Sequence, residues 1–459
     1  MPPDSKSTTT ERATERATTP HITPETTPGE RVPDQGTEEQ PERSVMDGSH
    51  TVRIDEPCTL YVANDGNNAR DGRTREGALK SPTRAIWRAK PGDVICFARG
   101  SYKPFAIINF EATAEKPLVL RALPGDEHQV VISQRSHQYG IGIRVGRSEH
   151  VHLYGFGIER VQSGVTVAGS AHVRIEDLSI RSVGQAGIYV KQEYDSKDHD
   201  RHEGIPSHHV DIIGNTIEDT GNLTARYGEG VYVGSGGRQG DKTHDVFIAL
   251  NRISDVRAEA IDLKPWTSNL IVRGNVILRG SHFFHGAISV GVQAFDGPSA
   301  NFLIEDNRIY GYEALKEDEK VAGICVGHGN GVVRRNTIWG IRGGSGIRTT
   351  TTFLNPEALD VLIEENTIWS ATGEPSITLH DGDERTGVPD KNGNITLRDN
   401  LTHDGLLGSR ILKQEDFVGP ISELADAGDG PGAGAGAVPR LGRDGGGRQP
   451  RANQGGAGR

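Results

Sequence analysis

Residues 270–279 read LIVRGNVILR, two short apolar runs joined by Gly274 and Asn275. Runs of this length broken by Gly-Asn read as strand, bend and strand, with no amphipathic helix among them. The same phrase recurs as VDIIGNTIED (210–219), VFIALNRISD (246–255), FLIEDNRIYG (302–311), GVVRRNTIWG (331–340), VLIEENTIWS (361–370) and ITLRDNLTHD (395–404). Its asparagines, Asn215, Asn251, Asn275, Asn307, Asn336, Asn366 and Asn400, follow one another at 24 to 36 residues. Between them falls a second strand: AGIYVK (186–191), EGVYVG (229–234), EAIDLK (259–264), GAISVG (286–291), AGICVG (322–327), SGIRTT (345–350) and PSITLH (375–380).

One such unit cannot bury its own inner face, but units stacked at the parallel-strand spacing of about 4.8 Å bury their Ile, Val and Leu columns as one core. The recurring asparagine is expected at the bend itself, because Asn tolerates left-handed backbone and its amide can bond to the next Asn in the stack. A leucine-rich repeat also stacks an asparagine, but its Leu-x-Leu strand and convex helix are missing. The chain is therefore predicted to be all-β, a right-handed parallel β-helix (solenoid) over residues 51–424. Residues 81–90, SPTRAIWRAK, predict a short N-terminal capping helix opened by Ser81 and Pro82, with Ile86 and Trp87 laid over the first coil.

Composition agrees with many small, β-branched layers: of 459 residues 60 are Gly, and only 5% are aromatic. The Thr/Glu/Pro-rich residues 1–50 and the Gly-rich residues 425–459 lack apolar periodicity and are expected to be disordered tails. A net charge of -11 argues against a general nucleic-acid binder, which needs a basic surface. No stretch approaches the roughly 20 apolar residues of a membrane span. A monomer with neither partner is expected. The opening stretch MPPDSKSTTTERATERATTP has no apolar core of a secretory signal, leaving cytoplasmic residence, unconventional export or a different start open. Three cysteines cannot make a disulfide framework; Cys58 and Cys96 lie near two early strands, but three buried thiols, Cys325 included, are the expectation.

Residues 60–102, LYVANDGNNARDGRTREGALKSPTRAIWRAKPGDVICFARGSY, resemble the N-terminal signature of the pectate-lyase-like superfamily of right-handed β-helix proteins. A Tyr-Val strand, a Gly/Asn/Asp loop, a capping helix and a Pro-Gly-Asp strand ending in Gly-x-Tyr stand in that order. GEGVYVGSGG (228–237) and AEAIDLKPWTSNLIVRGN (258–275) are similar to its central coils. The resemblance spans residues 60 to about 410. It implies secretion and a polysaccharide or oligosaccharide substrate, but no single reaction, since lyases, hydrolases, epimerases and members without an assigned reaction share the fold.

Alternation along the second strand sends Ile261 and Leu263 inward and Asp262 and Lys264 outward. Stacking aligns Tyr189, Tyr232, Asp262, Ser289, Cys325 and Arg348 in one outward column, and Lys191, Gly234, Lys264, Gly291, Gly327, Thr350 and His380 in the next. Small neighbours are expected to leave a groove around the Lys264 amine. Glu229 and Glu259 precede their strands by equal offsets, which puts them near Asp262. β-Elimination on a uronic-acid polymer needs such a set: a cation to neutralise the sugar carboxylate, a base for its α-proton and an acid for the leaving oxygen. The expected roles are Lys264 as base, Tyr232 as acid or positioning group, and Glu229, Glu259 and Asp262 as ligands for Ca²⁺. Tyr189, Lys191, Trp266 and Arg348 are expected to bind substrate.

Against this stand a solvated Asp262–Lys264 pair on an exposed strand, a hydrolase or epimerase using the same carboxylates, and a noncatalytic carbohydrate-binding or surface solenoid. Three acids also raise a lysine's pKa unless a cation occupies them. GHG (327–329), with His328, follows its strand and is discounted as a hydrolase motif. The insertion EYDSKDHDRHEGIPSHH (193–209) carries His199, His202, His208 and His209, and reads as a polar rim loop rather than a zinc site. Loops 195–206, 221–229 and 238–243 are expected to wall a cleft at one end of the second strand.

Overall fold

The computed structural model describes residues 56–134, 139–194, 204–223, 227–236, 240–282, 285–292, 301–315, 320–327, 329–349, 359–369, 375–379, 394–404 and 409–411. All of these fall in the compact unit Val52–Arg459; the other unit is Met1–Thr51. Both tail readings, together with His199, His202, His328, Thr350 and His380, lie outside the described residues.

All but two of the described strands form two parallel sheets of twelve and one of ten, each joining strands from successive coils; Glu193–Tyr194 and Gly204–Ile205 make a separate antiparallel pair. One coil shows the pattern. Ser268–Arg273 enters the first sheet, Val276–His282 the second and Gly286–Val290 the third. The predicted right-handed parallel β-helix is the fold. No helix among the described residues is long and apolar enough to cross a membrane.

Register produces the core. Ile143, Val165, Ile188, Val231, Ile261, Ile288, Ile324 and Ile347 pair in sequence down the third sheet, and every one is 0% exposed. Each such side chain contributes about 1.5–3 kcal/mol by leaving water. A one-residue slip in any strand would turn its column outward, so the register is strongly specified.

The asparagine ladder forms along the whole predicted series. Each Nδ2 donates to the Oδ1 of the next asparagine at 2.9–3.0 Å, from Asn215 through Asn251, Asn275, Asn307, Asn336 and Asn366 to Asn400. The backbone N–H of each donates to the same oxygen. The left-handed residue, however, is not the asparagine but the one before it: Gly214, Leu250, Gly274, Asp306, Arg335, Glu365 and Asp399 all have positive φ. The bend turns at that residue, and the asparagine follows it, fully inside, bonding along the stack.

Two further expectations need correcting. Cys58 and Cys96 form a disulfide rather than two thiols. Pairing of Leu60–Val62 with Val94–Phe97 opposes Tyr61 to Cys96 and brings the cysteine Cα atoms to 5.7 Å. Cys325 is the buried free thiol. The helix forms over Pro82–Arg88 and sends Ala85 and Ile86 into the core, but Trp87 is 75% exposed. With Ala85 and Ile86 marking the inward face, Trp87 lies about 200° round from Ala85 and falls outside it.

Candidate active site

The third sheet brings the expected column together. Tyr189 pairs with Tyr232, Tyr232 with Asp262, Asp262 with Ser289, Ser289 with Cys325, and Cys325 with Arg348. The next position belongs to Gly234, Lys264, Gly291 and Gly327, whose N–H groups continue the ladder to Val190, Val233, Leu263 and Val290. Gly234 has φ +93°, and a Cβ there would meet Thr267 Cγ2 at 2.7 Å and Lys264 Cβ at 3.0 Å. Only glycine leaves room for the lysine stem on that side.

Asp262 and Lys264 are not a solvated pair. Asp262 is 1% and Lys264 7% exposed, with Lys264 Nζ 2.7 Å from Asp262 Oδ2. Nor do the small neighbours leave the amine open, because it turns back onto Asp262 and over the Tyr232 ring, 5.2 Å from its centroid. Tyr189 and Tyr232 lie tilted with centroids 5.1 Å apart, and both are half-buried.

Glu229 and Glu259 each stand two residues before their strands, and both are 3% exposed. Glu229, Glu259 and Asp262 each offer a carboxylate oxygen, all within 4.8 Å of one another. Glu229 Oε2 and Asp262 Oδ1 are buried without a hydrogen-bond partner. Unsatisfied carboxylate oxygens this deep are costly. Hard oxygen donors converging with unused lone pairs suit Ca²⁺, so the residues fit that ion.

The electrostatics follow from burial. The Glu229 carboxyl is pushed up to about 8 by burial, then by the charges of Asp262 and Glu259. Asp262 is pushed up to about 6 by burial, with Lys264 pulling the other way. Burial works against the Lys264 ammonium, but Asp262, Tyr232 and Glu259 outweigh it and hold the amine well above its ordinary value. The Tyr232 phenol is also raised, by burial first, with Lys264 opposing and Asp262 and Glu229 adding to it.

Two members escaped the sequence reading. His285 Nδ1 lies 2.5 Å from Glu259 Oε1. It stands three residues before Ile288, one more than the acids before their strands, and that extra residue hides it from a fixed-offset comparison. Tyr312 is fully buried, donates its hydroxyl to Ala258 O, and occupies the space a Cβ at Gly280 would need. Its opposition to Gly280 in the second sheet was the available signal.

The other expected residues are more scattered. Trp266, half-buried after Pro265, holds φ +74°, rare for so bulky a residue, and packs on Gly240. The turn is tied by Thr267 Oγ1 donating to Lys264 O at 2.6 Å. Lys191 is half-buried on the coil before Gly234. Arg348 lies three register steps from Asp262, about 14 Å at the spacing of parallel strands, and donates to Lys320 O instead of joining the cluster.

The loops do not share one end. Among the described residues, 221–223 and 227–229 precede the strand Val231–Val233, whereas 204–206 and 240–243 follow the strands Ile188–Lys191 and Val231–Val233; 195–203, 224–226 and 238–239 lie outside the described residues. His208 and His209 are not rim-loop residues either, since they open the strand His208–Ile213 of the first sheet.

A family model described as "Right handed beta helix region" matches residues 141–352. Among solved structures, a "Glycoside hydrolase" is similar at 11% identity and TM-score 0.53, over 75% of this chain and 96% of that one. An alginate lyase from Paenibacillus sp. str. FPU-7 is similar at 20% identity and TM-score 0.46, over 65% of this chain and 94% of its own. A GH136 lacto-N-biosidase from Eubacterium ramulus is similar at 14% identity and TM-score 0.44, over 77% and 68%. No curated protein matches the sequence significantly. Taken with the three parallel sheets, the match to that family model shows the fold of the chain to be a right-handed parallel β-helix.

Proposed function

We infer that the chain is a polysaccharide lyase that cleaves a uronic-acid-containing polymer by β-elimination at the Lys264 site. One observation carries the reading: a lysine and three carboxylates are buried together, beside a half-buried tyrosine, on adjacent coils in the middle of a sheet. Burial of that much charge opposes folding, and groups held so far from their ordinary pKa values cluster where chemistry is done. Tyr189, Tyr232 and Trp266 offer half-buried aromatic faces on which a sugar ring can stack.

Glu229, Glu259 and Asp262 would hold Ca²⁺, which when bound would offset most of the trio's negative charge and attract the sugar carboxylate. In the substrate-free chain the Lys264 ammonium is charged, the opposite of what a base requires. With the charge of its acidic neighbours offset, burial would become the larger influence and favour the free amine. Lys264 Nζ then takes the proton α to the sugar carboxylate. The Tyr232 hydroxyl, kept protonated by burial, gives its proton to the departing glycosidic oxygen.

A second reading is favoured by Glu229. With its carboxyl pushed up to about 8 by burial, it would hold a proton at neutral pH and suit the acid of a glycoside hydrolase, with Glu259 or Asp262 as the base. A panel of polyuronates with and without added Ca²⁺ separates the two. Elimination yields an unsaturated product that absorbs in the ultraviolet, and Lys264→Met lowers that rate by about 10²–10⁴-fold. Reducing ends without the absorbance, lost in Glu229→Gln, would replace the lyase reading by the hydrolase one. Neither signal on any polymer would leave a carbohydrate-binding solenoid.

A further inference from the structure

On the first sheet, away from the carboxylates, histidines collect at the start of consecutive strands. His150, His172 and His209 occupy one position of successive coils, followed there by Asp245 and Asn269, and all five have φ between +52° and +55°. Register skips this position: Ala171 pairs with His208 and Val173 with Val210, leaving His172 and His209 between pairs. A left-handed residue breaks strand alternation, so His209 and its predecessor His208 both face outward, where regular pleating would oppose them.

Histidine, asparagine and aspartate tolerate this backbone better than most residues, which accounts for His150, His172 and His209. It does not account for His208 or His244, paired one position earlier with ordinary φ. The imidazoles exceed what the bend requires. His172, His208 and His209 each offer a ring nitrogen, all within 4.8 Å of one another, and His208 Nδ1 lies 2.8 Å from His209 Nδ1. The rings of His150 and His172 stack at 4.3 Å, and those of His208 and His244 at 5.0 Å. Asp245 Oδ2 stands 4.0 Å from His209 Nδ1 and 3.6 Å from His244 Nε2, where a carboxylate could orient an imidazole on a metal.

We propose that His172, His208 and His209 form a site for a divalent transition-metal ion, bridging two adjacent coils of the first sheet. An all-imidazole donor set selects Zn²⁺, Co²⁺, Ni²⁺ or Cu²⁺ over Ca²⁺ or Mg²⁺, which take oxygen. Zinc–nitrogen bonds of about 2.0–2.1 Å place tetrahedral ligands about 3.3 Å apart, within reach of small rotations of these rings. All three are half-buried, so the ion keeps access to solvent. The ligands already stand on rigid strands, and binding therefore stabilises the stack by mass action.

The test is calorimetric titration of the full chain with ZnCl₂, alongside the visible absorbance of added Co²⁺. Saturable one-to-one binding and a Co²⁺ spectrum of tetrahedral type are expected. His172→Ala should weaken Zn²⁺ binding by more than about 100-fold, beyond the 10–100-fold that losing an outer-shell partner costs. His209→Asn should do the same with the backbone preserved, since Asn tolerates the left-handed bend; circular dichroism checks the fold of both. His199→Ala/His202→Ala should bind like the parent. Binding that survives in His172→Ala and His209→Asn, or is lost only in the His199/His202 variant, overturns the site, as does the absence of saturable binding by the parent.

Discussion

Removing one rung of the asparagine ladder tests what holds the coils in register. Asn275 is fully buried, and its Oδ1 accepts from Asn251 N at 3.0 Å and from Asn251 Nδ2 at 2.9 Å. Asn275→Ala leaves the Asn251 backbone N–H and one of the two Asn251 Nδ2 hydrogens without an acceptor, Nδ2 keeping its bond to Ile212 O, while Asn307 Oδ1 keeps the bond from the backbone N of residue 275. At about 1–3 kcal/mol for each orphaned buried donor, the loss is about 2–6 kcal/mol. A stack of roughly 350 residues unfolds with an entropy of about 0.7 kcal/mol/K, so the melting temperature should fall by about 3–8 °C. Thermal melts followed by circular dichroism measure this, and hydrogen exchange should show faster exchange at the Asn251 amide. A melting temperature within about 1 °C of the parent, with that amide still protected, would mean the ladder merely accompanies the stack.

Three further outcomes are expected. Glu305 is 2% exposed and receives Arg273, Arg334 and Arg335; burial raises its carboxyl, but the arginines prevail and hold it below its usual value. Its stabilisation is full above the unfolded glutamate pKa and is lost as pH falls through the lower folded one. Glu305→Gln should therefore cost about 2 kcal/mol at pH 7, with urea unfolding curves converging on the parent in acid; an undiminished gap there would refute the assignment. Leu250 is 67% exposed in the left-handed position that Gly214 and Gly274 fill on neighbouring coils. Leu250→Asn should stabilise by about 1 kcal/mol, read as a higher melting temperature. Cys58→Ser/Cys96→Ser opens a loop with a sequence separation of 38 and should cost about 4 kcal/mol by loop entropy, with an unchanged melt counting against it.

The fold was legible because its signal is redundant. Seven asparagines and seven second strands repeat one instruction, and register follows from alternation alone. The column Tyr189, Tyr232, Asp262 and Arg348 came from the same arithmetic. What the sequence hid depends on depth and on chain paths outside the repeat. Alternation assigns Asp262 an outward direction but not its burial. His285 escaped through one extra residue, and Tyr312 reaches Ala258 from another sheet. The left-handed residue was misplaced by one because glycine fills that place in only two of the seven bends, at Gly214 and Gly274.

The bond between Cys58 and Cys96 ties the residues leading into the first strand, Leu60–Val62, to the second, Val94–Phe97, at the beginning of the solenoid. A stack in which each coil touches only its neighbours frays from its termini, because an end coil has a partner on one side alone. With one end fastened covalently, unravelling gains a direction: coils peel away from the opposite end and the cystine-tied pair lets go last. Severing that tie would let the first coils fray as well.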